Sequence, residues 1–549
     1  MTWVPDDVPG YVVDELEDIW RKLSGGSQGR VDGRTAALCL DQAMVQQLAE
    51  EIHRTLGVRL VTQDLVDADS LSSLGVVVHA AMDRAQVVRR EERVVGSAGE
   101  PAAVLRLSSA QRRLWFMQQF AQGTALYNVP TRLDLVGRLD QPALAAALTD
   151  LLARHEILRT RYPARSGVPQ PQVMPITPVQ LPYEDLVGHA EVGVEIERLA
   201  FQEATATFRL DEDAPVRFRL VRTEAGKYLL YGTFHHIAID GLSIDIVFEE
   251  ISSHYNHHAR GAADVSESPR QYADYARHQS VSLGSDAMRQ MVGSRCAALG
   301  GTPTALELPT DRARPRLQRF KGDGVSTMID GRLADGVRQL ARRQRVTPYI
   351  VLLAAYVALL ARLSGQSDVV VGTPASGRTR SEWERVVGCF INMVPVRTNV
   401  SRATTGTELL SRVSESVLQA LEFQDVPFDE LVQAIAGPRR SGAPLFTVMF
   451  SHEVRRPGYP FADLQNAELT VSRPPGTAKY DLSLYAVSHG DDVRIEMEYD
   501  TDLYDAATAT ALLEAYQAVL SELVHHPADA LDLTRTGEYR AQVDGCVAS

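Results

Sequence analysis

The chain lacks the features that would tie it to a disulfide scaffold, a membrane or a nucleic acid. Its four cysteines, Cys39, Cys296, Cys389 and Cys546, lie far apart with no CxxC pair. Such spacing supports neither a disulfide framework nor a zinc site. The longest apolar run, 349–361, has 13 residues and stops at Arg362. A bilayer span needs roughly 20 residues, so the run reads as a buried helix and no membrane is expected. The N-terminal stretch carries Asp6 and Asp7 without a basic-then-apolar pattern, and no export signal is expected there. Lys plus Arg number 56 against 70 Asp plus Glu, a formal charge of −14. That sign argues against nucleic acid or an anionic membrane surface as a partner. The expectation is a soluble, acidic protein of a reducing compartment, cytoplasmic in location.

What is present is an ordinary globular balance, 45% hydrophobic and 23% charged residues. At roughly 150 residues per domain, the length suggests three to four units. The first, within 1–87, reads as a small helical bundle. Val12, Leu16, Ile19, Trp20 and Leu23 share one helical stripe. After a Gly- and Ser-rich loop, Met44, Leu48, Ile52 and Leu56 form a second stripe that stops at Gly57. Ser70 is placed to cap a last helix through Leu71, Leu74 and Val78. Residues 88–104, charged and then rich in small residues, read as a linker. From 105 to 535 helices and strands alternate, giving an α/β (α+β) class, and 536–549 is a polar tail.

The segment 228–251 is the most informative. Tyr228-Leu-Leu-Tyr-Gly-Thr-Phe-His235 reads as a strand, and Ser243 is placed to cap a helix carrying Ile244, Val247, Phe248 and Ile251. Between them stands His235-His236-Ile-Ala-Ile-Asp240-Gly241. If strand geometry persists, adjacent side chains point to opposite faces, so only one histidine lines a given cleft. Asp240 precedes a glycine able to take a positive φ, which would mark a tight turn. A carboxylate there suits pairing with an arginine better than proton chemistry. Taken alone, an arbitrary His-His pair at a strand end is more often buried in a core than catalytic.

Three other patterns read as ordinary. Gly25-Gly26-Ser27-Gln28-Gly29 matches GxSxG but has no apolar strand before it and no helix directly after it. His254, His257 and His258 share a helix turn, yet no further ligand is evident, and a solvated face is expected. Arg378 and Arg380 stand beside Glu382 and Glu384 and read as a charged loop.

At His235-His236-xxx-Asp240-Gly241 the sequence resembles the condensation domains of nonribosomal peptide synthetases, whose core motif is HHxxxDG. Neighbouring segments follow that family's order. Ser109-Ala110-Gln111-Arg112-Arg113-Leu114-Trp115 is similar to its opening motif, and Arg154-His155-Glu156-Ile157-Leu158-Arg159-Thr160 to its second. Tyr272-Ala273-Asp274-Tyr275-Ala276, Val387-Gly388-Cys389-Phe390-Ile391-Asn392 and Gln424-Asp425-Val426-Pro427-Phe428 resemble later ones. Ser441-Gly442-Ala443-Pro444-Leu445 departs from the usual Ser-Arg-Asn-Pro-Leu, which puts carrier or acceptor contacts at that edge in doubt. All four fixed positions of HHxxxDG remain, unlike those of inactive recruiting relatives. The N-terminal unit is similar to a peptidyl carrier domain. Its aligned stretch Asp41-Gln42-Ala43 has Gln42 where the phosphopantetheine serine belongs, and Asp69-Ser70-Leu71 falls where the family has its last helix.

The resemblance implies two chloramphenicol-acetyltransferase-like lobes in a V, the first at 105–275 and the second at 276–535. It implies a donor carrier protein presenting an acyl thioester, attacked by an amine, or second by a hydroxyl, to give an amide or ester. The acceptor is another carrier's substrate or a free small-molecule nucleophile. The chain would bind no cofactor of its own; partner carriers would supply the 4′-phosphopantetheine arm. His236 is the expected cleft-facing residue, taking up the nucleophile's proton, and Gly241 would offer its backbone N–H to the oxyanion. His235 and Asp240 would be structural, Asp240 pairing with Arg378. Numbering from Met1 is compatible with a stand-alone enzyme acting in trans. The rivals are a noncatalytic module that docks a partner enzyme and an acyltransferase of soluble substrates.

Overall fold

From residue 105 onward the hydrophobic period switches between two and 3.6, and strands and helices follow it. The computed structural model describes 105–531 apart from 121–122, 263–268, 301–305, 401–403, 437–443, 457 and 466. A few earlier positions are also described, all helical: Leu16, Ile19, Ile52 and Val78, which are fully buried, and Glu51 and Thr55. The rest of the expected helical bundle with Ser27 and Gln42, the linker 88–104, Ser441-Gly442-Ala443 and the tail 536–549 lie outside the described residues.

The first lobe runs Ser109–Phe120 (α1), Asn128–Val136 (β1), Gln141–Arg154 (α2), Tyr183–Asp185 (β2), Val192–Thr205 (α3), Val216–Glu224 (β3), Lys227–His235 (β4) and Gly241–Arg260 (α4). Tyr272–Leu283 (α5) and Asp286–Ala298 (α6) lead out of it. The second lobe holds Gly322–Met328 (β5), Gly331–Gln344 (α7), Pro348–Ser364 (α8), Asp368–Ala375 (β6), Asn392–Asn399 (β7), Gly406–Glu422 (α9) and Phe428–Ala436 (α10). Val448–Arg455 (β8), Glu468–Val471 (β9), Leu482–His489 (β10), Asp492–Asp500 (β11) and Ala506–His525 (α11) complete it. One sheet has the order β9-β1-β4-β3-β2 and the other β7-β6-β8-β10-β11-β5.

The apolar run becomes α8. Thr347 caps it by accepting from the Ile350 N–H, Pro348 opens it, and Gly365 ends it in the left-handed region. Every residue from Ile350 to Leu363 is buried, Arg362 included. The Arg362 guanidinium is paired with Glu522 of α11 at 2.8 Å. Among the described residues no single helix is long and apolar enough to cross a membrane.

A single cut at 275/276 does not keep the lobes' chains apart. Strand β9, from the second half, pairs antiparallel with β1, Thr131 opposite Val471 and Asp134 opposite Glu468. Trp383, Val387, Cys389, Phe390 and Tyr459 pack into the first lobe's core beside Phe234, Phe248 and Tyr272. The reason is an open ladder: without β9, β1 would be an edge with unpaired amides.

Candidate active site at the lobe junction

Strand β4 carries His235 and His236 to the junction. His235 still lies in the ladder opposite Asn128 of β1. The chain then turns: Ala238 N–H donates to His235 O at 3.0 Å, and Ile239 N–H to His236 O at 3.4 Å. Ile237, Ala238 and Ile239 are fully buried and anchor the turn. Helix α4 begins at once, and two sequence expectations change here. Asp240, rather than Ser243, is the N-cap, its Oδ1 accepting from the Ser243 N–H at 2.8 Å. Gly241 takes no positive φ; it is the first residue of α4. The aspartate's ability to accept a first-turn amide makes the turn, so glycine's left-handed freedom is not needed.

The two histidines have different surroundings. His235 is 1% exposed, its ring in contact with Tyr127 and Phe208. Its Nδ1 accepts from the Ile237 N–H at 3.1 Å, so Nε2 carries the proton and faces Gln118 Oε1 at 3.3 Å. Burial, then the charges of His236 and Lys479, lower its pKa to about 3. His236 retains some exposure. Its Nδ1 faces Ile239 O at 2.8 Å, and a carbonyl can only accept, so Nδ1 holds the proton and Nε2 keeps its lone pair. Burial, then the Lys479 charge, lowers its pKa to about 4, with Asp240 opposing. The imidazole is therefore neutral at pH 7.

Asp240 and Arg378 join the lobes. Arg378 follows β6, and its side chain is 3% exposed against 2% for Asp240. Nη1 donates to Oδ2 at 2.9 Å and Nη2 to Oδ1 at 3.2 Å. Oδ2 also accepts from the Phe390 N–H at 3.0 Å. Nη2 reaches Ser243 Oγ at 2.8 Å and Val386 O at 2.9 Å. The guanidinium lies over the Phe390 ring, 3.9 Å from its centroid. Two glycines permit this approach: a Cβ on Gly377 would meet Phe390 O at 2.2 Å, and one on Gly388 would meet the Tyr272 ring at 1.9 Å. Arg380, by contrast, makes an exposed pair with Glu382, as a charged loop should.

The remaining motif segments build the surroundings. Gln111 Nε2 donates to Tyr162 OH at 3.1 Å and Ile237 O at 3.4 Å, holding α1 against the histidine turn. His155 Nε2 meets Glu250 Oε2 at 2.6 Å inside α4. Tyr272 OH donates to Cys389 O, and Asn392 Nδ2 to Gln424 O and Val426 O. The helical histidines need a correction: His254 is buried rather than solvated. It sits one turn deeper in α4, facing the core stripe. His257 bonds Ala262 O, and His258 bonds Asp150. Among the described residues no cluster of three metal-ligating side chains occurs. Sequence reasoning missed Tyr127, whose carbonyl accepts the His236 N–H at 2.8 Å, and Lys479. The one signal was rarity: Lys479 is one of four lysines among the 56 basic residues.

Two neutral histidines, one buried and one half-buried, make stability acid-sensitive. Each has a folded-state pKa below its unfolded value near 6.5, so only the unfolded chain takes up protons as pH falls below that value. Unfolding free energy should fall from pH 6.5 toward 4, by up to about 1.4 kcal/mol per pH unit per histidine. Urea melts of wild type and His236→Gln across that range check this; the variant should show the shallower decline.

A family model described as the condensation domain matches residues 102–540. A linear gramicidin synthase of Brevibacillus parabrevis is 32% identical over 497 residues, 89% of this chain and 10% of that protein. Malpinin synthetase of Mortierella alpina is 34% identical over 507 residues, covering 91% and 6%. Among solved structures, the X-domain from teicoplanin biosynthesis is 25% identical with a TM-score of 0.69, covering 79% of this chain and 98% of that one. The first condensation domain of the calcium-dependent antibiotic synthetase, 22% identical with a TM-score of 0.68 over 78% and 99%, supports the mixed α/β fold. The chain belongs to the condensation-domain family of nonribosomal peptide synthetases. It spans a tenth or less of the length of these two synthetases.

Proposed function

We propose that the chain joins a carrier-bound acyl or aminoacyl thioester to an amine, or second to a hydroxyl, at His236. The observation that carries this reading is the Nδ1–Ile239 O bond, which leaves the Nε2 lone pair of a neutral imidazole as proton acceptor. In the step, the amine nitrogen bonds to the thioester carbon and the C–S bond breaks. The nitrogen's proton passes to Nε2 and then to the leaving thiolate sulfur. An α-amine has a pKa near 7.7–8.0, so roughly a tenth is neutral at pH 7, and orientation can contribute about 7–11 kcal/mol. A hydroxyl would depend far more on the base. The first amides of α4, at Gly241 and Leu242, lack intrahelical acceptors and suit a developing oxyanion. His235, Asp240 and Arg378 hold the turn and the lobes rather than touch substrate.

The donor arrives on a separate carrier, because Gln42 cannot bear the arm; partner carriers supply 4′-phosphopantetheine and this chain holds no cofactor. The N-terminal unit then serves as a carrier-like scaffold. The acceptor is carrier-bound or free, and the reaction runs in the cytoplasm without nucleic acid or membrane. The test incubates the protein with acyl-loaded donor carriers and a panel of free and carrier-bound amines and alcohols, with product followed by mass spectrometry.

A second reading has one observation behind it: an X-domain similar in fold was solved as a complex with OxyB. A noncatalytic docking module would give no product across the panel and would bind a partner enzyme tightly. The retained histidine with its ordered tautomer favours catalysis.

Gly241 supplies a further check. A Cβ at this position meets nothing within 4 Å. Gly241→Val should therefore keep the wild-type melting transition while lowering kcat/KM at least tenfold, most for bulky acceptors. A loss of the melting transition itself would show that Gly241 serves the fold instead.

A further inference from the structure

The segment 386–390 comes from the second half of the chain yet closes on the first lobe's histidine turn. It forms neither helix nor strand, so its main-chain groups need partners of another kind. Side chains supply them. Val386 O accepts from Arg378 Nη2 at 2.9 Å, and Gly388 N–H donates to Ser243 Oγ at 3.0 Å. Ser243 Oγ donates to Gly388 O at 2.9 Å, Tyr272 OH to Cys389 O, and Phe390 N–H to Asp240 Oδ2 at 3.0 Å. Ser243 is fully buried, and its hydroxyl is used up: it donates once and accepts from both Gly388 N–H and Arg378 Nη2. The serine expected to cap α4 is instead a clasp on this segment, which is held at almost every residue.

What the clasped segment brings to the histidine is the Cys389 side chain. It is 1% exposed, and its Sγ lies 3.9 Å from His236 Nδ1. Burial, with Asp240 adding to it, pushes this thiol up to about 12, so the sulfur stays protonated and neutral. The Nδ1–H already has its main acceptor in Ile239 O at 2.8 Å. A ring held by one hydrogen bond can still pivot about it. The sulfur blocks that swing by its bulk and is a weak second acceptor for the same N–H. With the proton on Nε2 instead, the Nδ1 lone pair would face the Ile239 carbonyl, two acceptors with no hydrogen between them.

We propose that Cys389 is a positioning residue for His236: the clasped segment 386–390 sets its sulfur against the Nδ1 edge of the imidazole, fixing the ring and the tautomer that leaves the Nε2 lone pair free. The sulfur, neutral and shielded, forms no bond with substrate. The first lobe's histidine is thereby oriented by a residue that the second half of the chain delivers, and the reaction centre is complete only where the two meet. The use made of the free Nε2 rests on the condensation reading, whereas the tautomer itself is independent of it.

The test is histidine-ring ¹⁵N NMR of the full chain, which tells an Nδ1–H from an Nε2–H tautomer, with the His236 signals identified by their loss in His236→Gln. Wild type should show the Nδ1–H form alone. Cys389→Ala should show a mixture of tautomers or a broadened, mobile ring. Its kcat should fall about ten- to a hundredfold with little change in KM, the scale expected of a misplaced catalytic group. Cys389→Ser keeps an acceptor at the same place and should restore both the tautomer and most of kcat. Ser243→Ala releases Gly388 without touching the ring and should give the same mixture, so it decides the matter should Cys389→Ala fail to fold. A pure Nδ1–H signal in a folded Cys389→Ala or Ser243→Ala protein overturns the proposal, whatever the activity. Absence of product from wild type would instead overturn the condensation reading, and the tautomer alone would then decide the role of Cys389.

Discussion

His236→Ala should lose 10²- to 10⁴-fold in kcat for amide formation, the usual contribution of a positioned general base, with the donor's KM almost unchanged. The expectation follows from the tautomer. Nδ1 is committed to Ile239 O, so Nε2 is the ring nitrogen left to accept a proton. Since burial lowers the imidazole's pKa to about 4, an alcohol acceptor should give a rate flat from pH 8 down to well below 6.5, whereas an α-amine should follow its own neutral fraction below about pH 8. At lower pH the acid limb appears as imidazolium forms. Alcohol acceptors should suffer more than amines, because a tenth or so of an α-amine is already deprotonated at pH 7. Single-turnover transfer from a loaded carrier, measured against pH for both proteins, reads all of this. Equal rates in mutant and wild type would mean that orientation suffices and that the assigned role is wrong.

Arg378→Ala should be the most destabilising change near the site, by about 3–5 kcal/mol, because it leaves Asp240 buried and ionised without its partner. The cost falls on both lobes, since Arg378 follows β6 and Asp240 opens α4. Arg378→Lys should recover only part of the loss: a point charge cannot reach Oδ1, Oδ2, Ser243 Oγ and Val386 O together. Asp240→Asn paired with Arg378→Met should be more stable than Arg378→Ala alone, because the unpaired charge is gone. Urea midpoints separate these four proteins. If Arg378→Ala unfolds like wild type but is inactive, the pair serves chemistry rather than the joint between lobes.

Motif order made the family legible in the sequence, and period-two and period-3.6 patterns made most elements legible. Strand β4, the helix after it and the buried run of α8 all follow from local apolar spacing. The boundaries at the site were not legible in the same way. Whether Ser243 or Asp240 caps α4 depends on which oxygen reaches a first-turn amide, and both are good capping residues. His254 looked solvated because its neighbours His257 and His258 are polar, yet one turn along α4 the helix faces the core. The lobe boundary was drawn at one position because sequence is linear, whereas β9 returns to pair with β1 across that boundary.

By itself the sequence determined the α/β class, the family and the pair of histidines at a strand end with a helix soon after. Those are local facts, set by spacing and by side-chain type. Only the tertiary structure decided which histidine keeps a free Nε2, because that depends on Ile237 N–H and Ile239 O folding back onto the two rings. It also decided that Lys479 meets Tyr127, and it holds the Arg378–Asp240 pair, which spacing did not give and only the family resemblance had implied. Both contacts join residues far apart in the chain, where hydrogen-bond direction and charge act through space and leave no periodic trace in the sequence.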